Sequence, residues 1–264
     1  MKKSTLMLIT GCIIVFLNLV IIITSPGELF SRITGYIFAI ISSFSSVAGL
    51  IFAIKVIKEK RIKLIYLLLL SGMFFYFLGE STYAIMDLFM KINMNETFPA
   101  LPDFFWVAGY IPLFSGMVII IKLYKEKTSI RAIKSLRYIF TILFIPFLAG
   151  FTYIFLMPII EDPKTTFLAK FVYLFYPIGD LFLIACSFLI FYIVRFSDDK
   201  NLSSSWKYIA SGFIFITLAD IIYSYMTWRG TYNTSEFIDA SWNAGYFLIG
   251  IGALKMTEVS KTED

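Results

Sequence analysis

The chain has 264 residues, 59% of them hydrophobic and 16% charged, with a formal net charge of +5 and no histidine. That balance excludes an ordinary soluble domain, in which about half the residues are apolar and about a quarter charged. The two cysteines, Cys12 and Cys186, both fall in apolar runs and form no C-x-x-C pair. No zinc site, haem ligation or histidine acid–base chemistry is therefore expected, and neither a metal nor a cofactor. The cysteines read as buried thiols rather than a disulfide.

The apolar residues form eight blocks, 6–24, 33–54, 64–90, 104–121, 138–160, 167–194, 208–228 and 238–254. The first follows Met1-Lys2-Lys3 and reads as a retained helix, because it is long enough to span and no A-x-A-like cleavage site follows. Each block can cross a hydrocarbon core about 30 Å thick as a helix. Helices are required because unpaired backbone groups cannot face lipid. The expected fold is thus all-α and polytopic, with the lipid bilayer as its first partner.

Lys and Arg alternate in density between the blocks. The N-terminus and stretches 55–63, 122–137, 195–207 and 255–261 hold 18 of the 23, and the intervening segments hold five: Arg32, Lys91, Lys164, Lys170 and Arg229. By the positive-inside rule the richer set is cytoplasmic, which predicts both termini inside, an even number of crossings and a plasma-membrane location. The basic charge is thereby explained by topology, and no nucleic-acid partner is expected.

The chain also repeats itself. Residues 71–83 (SGMFFYFLGESTY) and 211–223 (SGFIFITLADIIY) share S-G-x-x-F-x-x-L-x-[ED]-x-x-Y. Residues 103–110 (DFFWVAGY) and 239–246 (DASWNAGY) share D-x-x-W-x-A-G-Y. Two matches in the same order, 140 and 136 residues apart, predict two four-helix repeats, 1–127 and 128–264. An even helix count in each makes the repeats parallel.

Six acids stand in or at the ends of apolar blocks. Glu80 and Asp87 lie in the third, Asp180 in the sixth, Asp220 in the seventh, and Asp103 and Asp239 open the fourth and eighth. A charge near the bilayer centre costs several kcal/mol, so such groups face the bundle interior or a wet cavity. No Lys or Arg lies deep in any block. The acids must then be protonated, hydrogen-bonded or paired with a bound cation. At 1.5 Å per residue, Glu80, Asp180 and Asp220 all fall near mid-depth, which predicts an acidic cavity tapering inward from the outer side.

Aromatic residues accompany these acids at helical spacing. Tyr83 follows Glu80 by three and Tyr223 follows Asp220 by three, while Trp106 and Trp242 follow Asp103 and Asp239 by three. One reading is a polar pocket walled by Tyr and Trp, suited to an organic cation or an uncharged polar ligand. The other is an interfacial aromatic belt with acids that merely join helices by hydrogen bonds. Tyr176-Pro177-Ile178-Gly179-Asp180 aligns at the same offset with Tyr36-Ile37-Phe38-Ala39-Ile40, so the tyrosine recurs but the proline and acid do not. Pro177 frees a carbonyl near Asp180, either for a site or simply as a packing kink.

Weaker signals are the outer-loop sequons Asn95-Glu96-Thr97 and Asn233-Thr234-Ser235, and a basic stretch, Lys122 to Arg137, that faces anionic lipid on its predicted side. No phosphate-binding glycine loop, nucleophile elbow or metal-type cysteine cluster occurs, so the chain is not expected to be an enzyme.

The run Gly79-Glu80, Tyr83, Pro99, Pro102-Asp103, Gly109-Tyr110, Tyr176-Pro177-x-Gly179-Asp180, Ala219-Asp220, Tyr223 and Asp239-x-x-Trp242 resembles the N-terminal multi-helix membrane modules of bacterial and archaeal signalling proteins. These include GGDEF-type diguanylate cyclases and sensor histidine kinases. The resemblance implies a sensory input role, with those acids and aromatics facing an unknown small ligand or cation. Ten residues follow Leu254, so output is expected through a separate signalling protein or a homo-oligomer. The alternative is a small transporter or a cation/proton pathway, because mid-membrane acids also mark ion routes.

Overall fold

A computed structural model describes residues 1–94, 97–125, 138, 142, 144–195, 200–232 and 236–259. The asparagine of each sequon and most of Lys122 to Arg137 lie outside the described residues. Within them the chain forms eight long helices and no strand: α1 (Lys3–Thr24), α2 (Glu28–Val56), α3 (Lys60–Leu88), α4 (Leu101–Lys125), α5 (Phe144–Glu161), α6 (Phe167–Val194), α7 (Lys200–Trp228) and α8 (Phe237–Val259). Helices α1 to α7 are each long and apolar enough to cross a membrane. The chain is a multi-pass helical membrane protein.

α2, α4 and α7 run beyond their apolar blocks into flanking polar residues, because polar residues at a membrane surface are good helix formers with water to solvate their ends. α5 contains a π-helical turn, Thr152–Leu156. Thr166 caps α6 by accepting from the Ala169 amide.

α8 alone of the eight falls short of the apolar length needed to cross a membrane, and its packing explains why. α7, α2 and α1 all pack on it, and from Ile238 to Glu258 no residue is exposed. A helix wrapped by protein needs little lipid-compatible surface, so Asp239, Asn243 and Glu258 are tolerated there. α1 is the opposite case. Leu6, Ile9, Ile13, Phe16 and Ile23 are all exposed, and it presents one seam, including Gly11 against Phe247, to α8. Ser4 donates from both its amide and its hydroxyl to Glu258 Oε1, so the chain's two ends lie at the same end of the bundle.

Glycines set the closest helix approaches, as expected where no hydrophobic effect drives association. In the α3–α4 pair a Cβ added at Gly109 would stand 3.1 Å from the Gly72 carbonyl, and one at Gly116 would meet Ile65 and Leu69. In the α7–α8 pair a Cβ at Gly245 would stand 2.8 Å from the Gly212 carbonyl, and one at Gly252 would meet Ser205 and Ile209. Every one of these contacts recurs at an offset of 140 on one helix and 136 on the other. Tyr66 and Trp206, also 140 apart, pack against each other in a tilted pair with ring centroids 5.1 Å apart.

Cys186 is buried as expected. Cys12 is exposed instead, because it lies on the face of α1 turned away from α8.

Candidate ligand cavity

Each of the six acids accepts a hydrogen bond from an aromatic side chain. The Tyr246 hydroxyl donates to Glu80 Oε1 at 2.7 Å, and the Trp242 indole N–H to Asp220 Oδ1 at 2.7 Å. Tyr176 donates to Asp103 Oδ1 at 2.7 Å and Tyr110 to Asp180 Oδ1 at 2.6 Å. Tyr36 donates to Asp87 Oδ2 at 2.7 Å and Tyr232 to Asp239 Oδ1 at 3.2 Å. Hydrogen bonding, one of the three states open to a membrane acid, is thus present at all six. Such a bond holds the carboxylate in one orientation and offsets part of its desolvation.

The pairs fall on particular helices for a local reason. Gly79 and Gly179 each precede an acid, and the missing side chain leaves room for an aromatic ring from α4. The Trp106 indole lies where a Gly79 Cβ would be, and the Tyr110 ring would stand 2.8 Å from a Gly179 Cβ. With its ring laid on Gly179, Tyr110 reaches the next residue, Asp180. α4 and α6 are thus tied twice, by Asp103–Tyr176 and Tyr110–Asp180. The corresponding α8–α2 contact lacks the second tie, because α2 carries Ile40 where α6 carries Asp180. Tyr246, which corresponds to Tyr110, turns instead to Glu80 on α3. The α8–α2 contact is closed by backbone: a Cβ at Gly49 would lie 2.6 Å from the Gly250 carbonyl.

Between α2, α3, α7 and α8 lies a cavity of about 60 Å³. Glu80, Asp220 and Asp239 supply its acids, and seven tyrosines and two tryptophans wall it. Among the described residues no Lys or Arg lines it. Eight of the eleven residues singled out from sequence are brought together here: Glu80, Tyr83, Trp106, Tyr176, Asp220, Tyr223, Asp239 and Trp242. Tyr36, Tyr76, Tyr232 and Tyr246 join them. Tyr36 opens one recurring pattern and Tyr246 closes another, a signal that pointed to them. Tyr76 has no counterpart in the other half, where Ile216 stands, and nothing in the sequence marked it.

Three acids lie elsewhere, contrary to the expectation of one common cavity. Asp87 belongs to a separate vestibule of about 760 Å³ lined also by Glu28, Arg32 and Lys91. There it forms an ion pair with Arg32, because the first turns of α2 and the last turn of α3 meet. Tyr83 lines both spaces and is the wall between them. Asp103 and Asp180 are buried behind the cavity by their reciprocal ties. The Pro177 kink does not serve a site either: the Tyr173 carbonyl that it frees accepts from Ser224 of α7 at 3.0 Å. Among the described residues no group of three His, Cys, Asp or Glu could hold a metal ion.

Compared with models of protein families, with curated proteins and with solved structures, the chain matches none.

Proposed function

We propose that this protein is a membrane-embedded sensory module that binds a small ligand from the outer side in the cavity between Glu80 and Asp220. The observation that carries the reading is the cavity itself, an acidic chamber with nine aromatic walls and preorganised carboxylates, adjoining an outer vestibule across Tyr83. Convergent polar groups in an otherwise apolar concavity are the usual form of a ligand site. In this reading the chain crosses the plasma membrane eight times with both termini cytoplasmic, supported by the 18-to-5 basic asymmetry and the meeting of Ser4 with Glu258. Two parallel four-helix repeats account for the recurring glycine contacts. The signal passes to a separate protein or a second copy, as the resemblance to signalling input modules suggests.

The competing reading, a transporter or cation pathway, draws on Asp180, which lies outside the cavity and whose Oδ2 has no hydrogen-bond partner among the described residues. The inner half of the bundle weighs against it. Leu69, Met73, Leu113, Met117, Leu183, Phe213 and Ile249 fill that half at no more than 1% exposure. A dry plug of this kind suits a dead-end site. Purified protein in proteoliposomes separates the two readings: a sensor binds saturably with no flux, and uptake of any cation above protein-free vesicles refutes the sensor.

A further inference from the structure

Resting on that reading, we infer that the ligand is a primary alkylammonium cation, its –NH₃⁺ group held by Glu80, Asp220 and Tyr76 and its alkyl chain held by the aromatic walls. The acceptors of this cradle come from three residues of the cavity lining. Tyr246 and Trp242 each occupy one oxygen of their carboxylate, and the second oxygens of Glu80 and Asp220 have no donor among the described residues. Tyr76 lines the cavity, and its buried hydroxyl, beside that of Tyr110, makes no hydrogen bond of ordinary geometry among the described residues, although a buried polar group normally finds one. Tyr76 and Glu80 are four residues apart on α3 and share a face, with Asp220 opposite on α7. A primary ammonium carries three N–H donors, one for each acceptor.

The remaining chemistry narrows the class. Glu80 and Asp220 both line the cavity, and among the described residues no Lys or Arg does, so a cation is the charge that finds complementary groups there. An anion finds no positive group. A sugar needs many donors, yet four of the seven tyrosine hydroxyls, those of Tyr36, Tyr176, Tyr232 and Tyr246, are already given to acids. An inorganic ion needs about six oxygens, where aromatic faces stand instead. Those faces favour alkyl groups next to a positive charge. The volume, at about 10–15 Å³ per water-sized unit, admits about four to six heavy atoms.

The test is calorimetric titration of the full-length protein in detergent with n-butylammonium, tetramethylammonium, 1-butanol and sodium chloride. Butylammonium should bind saturably and at least tenfold tighter than the other three. Tyr76→Phe should weaken butylammonium severalfold and leave tetramethylammonium unchanged, and Glu80→Gln should weaken both. Tetramethylammonium binding as tightly as butylammonium removes the N–H requirement and overturns the inference. Butanol or sodium binding as tightly overturns it as well, while the cavity reading survives. Heat from none of the four overturns the inference and the cavity reading together. Should either variant fail to fold, the ranking of the four probes on the unaltered chain decides.

Discussion

Asp180 and Tyr110 form the most deeply buried acid–aromatic pair, and the energetics of a half-satisfied group govern what happens when it is cut. Tyr110→Phe leaves a fully buried carboxyl without any donor, at a cost of about 1–3 kcal/mol. The double variant Tyr110→Phe/Asp180→Leu should recover much of that loss, since replacing both partners by apolar groups of similar shape is close to neutral. Thermal unfolding of the two single variants and the double closes the cycle, and strict additivity would show that the pair is not coupled. Asp220 behaves differently because an amide oxygen can still accept from Trp242. Asp220→Asn should stay within about 1 kcal/mol of the parent chain, whereas Asp220→Ala, which orphans the indole N–H, should lose about 1–3 kcal/mol. A sharp loss in the asparagine variant would mean that the carboxylate charge itself holds the site together.

The helices that frame the cavity are held at distances set by glycine, so the elements tolerate a methyl group very unevenly. Gly49→Ala drives a Cβ into the Gly250 backbone, and backbone cannot swing aside as a side chain can. It should separate α2 from α8, destabilise the protein by about 1–3 kcal/mol, and weaken ligand binding by widening the wall that carries Gly35 and Tyr36. Gly150→Ala, on α5, meets nothing within 4 Å. It should be neutral or stabilising by up to about 1 kcal/mol through helix propensity alone. Equal melting temperatures for the two variants in detergent would contradict the packing of α2 on α8.

Across the whole molecule the basic asymmetry and the meeting of the chain ends make the same prediction. Reporter fusions after residue 264 and within 91–102 should report opposite sides of the membrane, and a result placing both on one side would remove the eight-crossing arrangement. Class, helix spans and internal matching were legible in the linear chain because they rest on local composition, and lipid imposes that composition on each segment separately. The acids were legible for the same reason: a carboxylate in a 20-residue apolar block is conspicuous wherever it points. Their partners were not, since Tyr246 and Glu80 lie 166 residues apart and only the packing of α3 beside α8 joins them. Tertiary structure alone decided that Asp87 pairs with Arg32, that Ser224 takes the carbonyl freed by Pro177, and that Asp103 and Asp180 tie helices behind the cavity. It also brought in Tyr76, a residue no repeat marks, because a cavity is made by what neighbouring helices leave unfilled. That remainder depends on the distances between helices, which glycine contacts set and no single segment encodes.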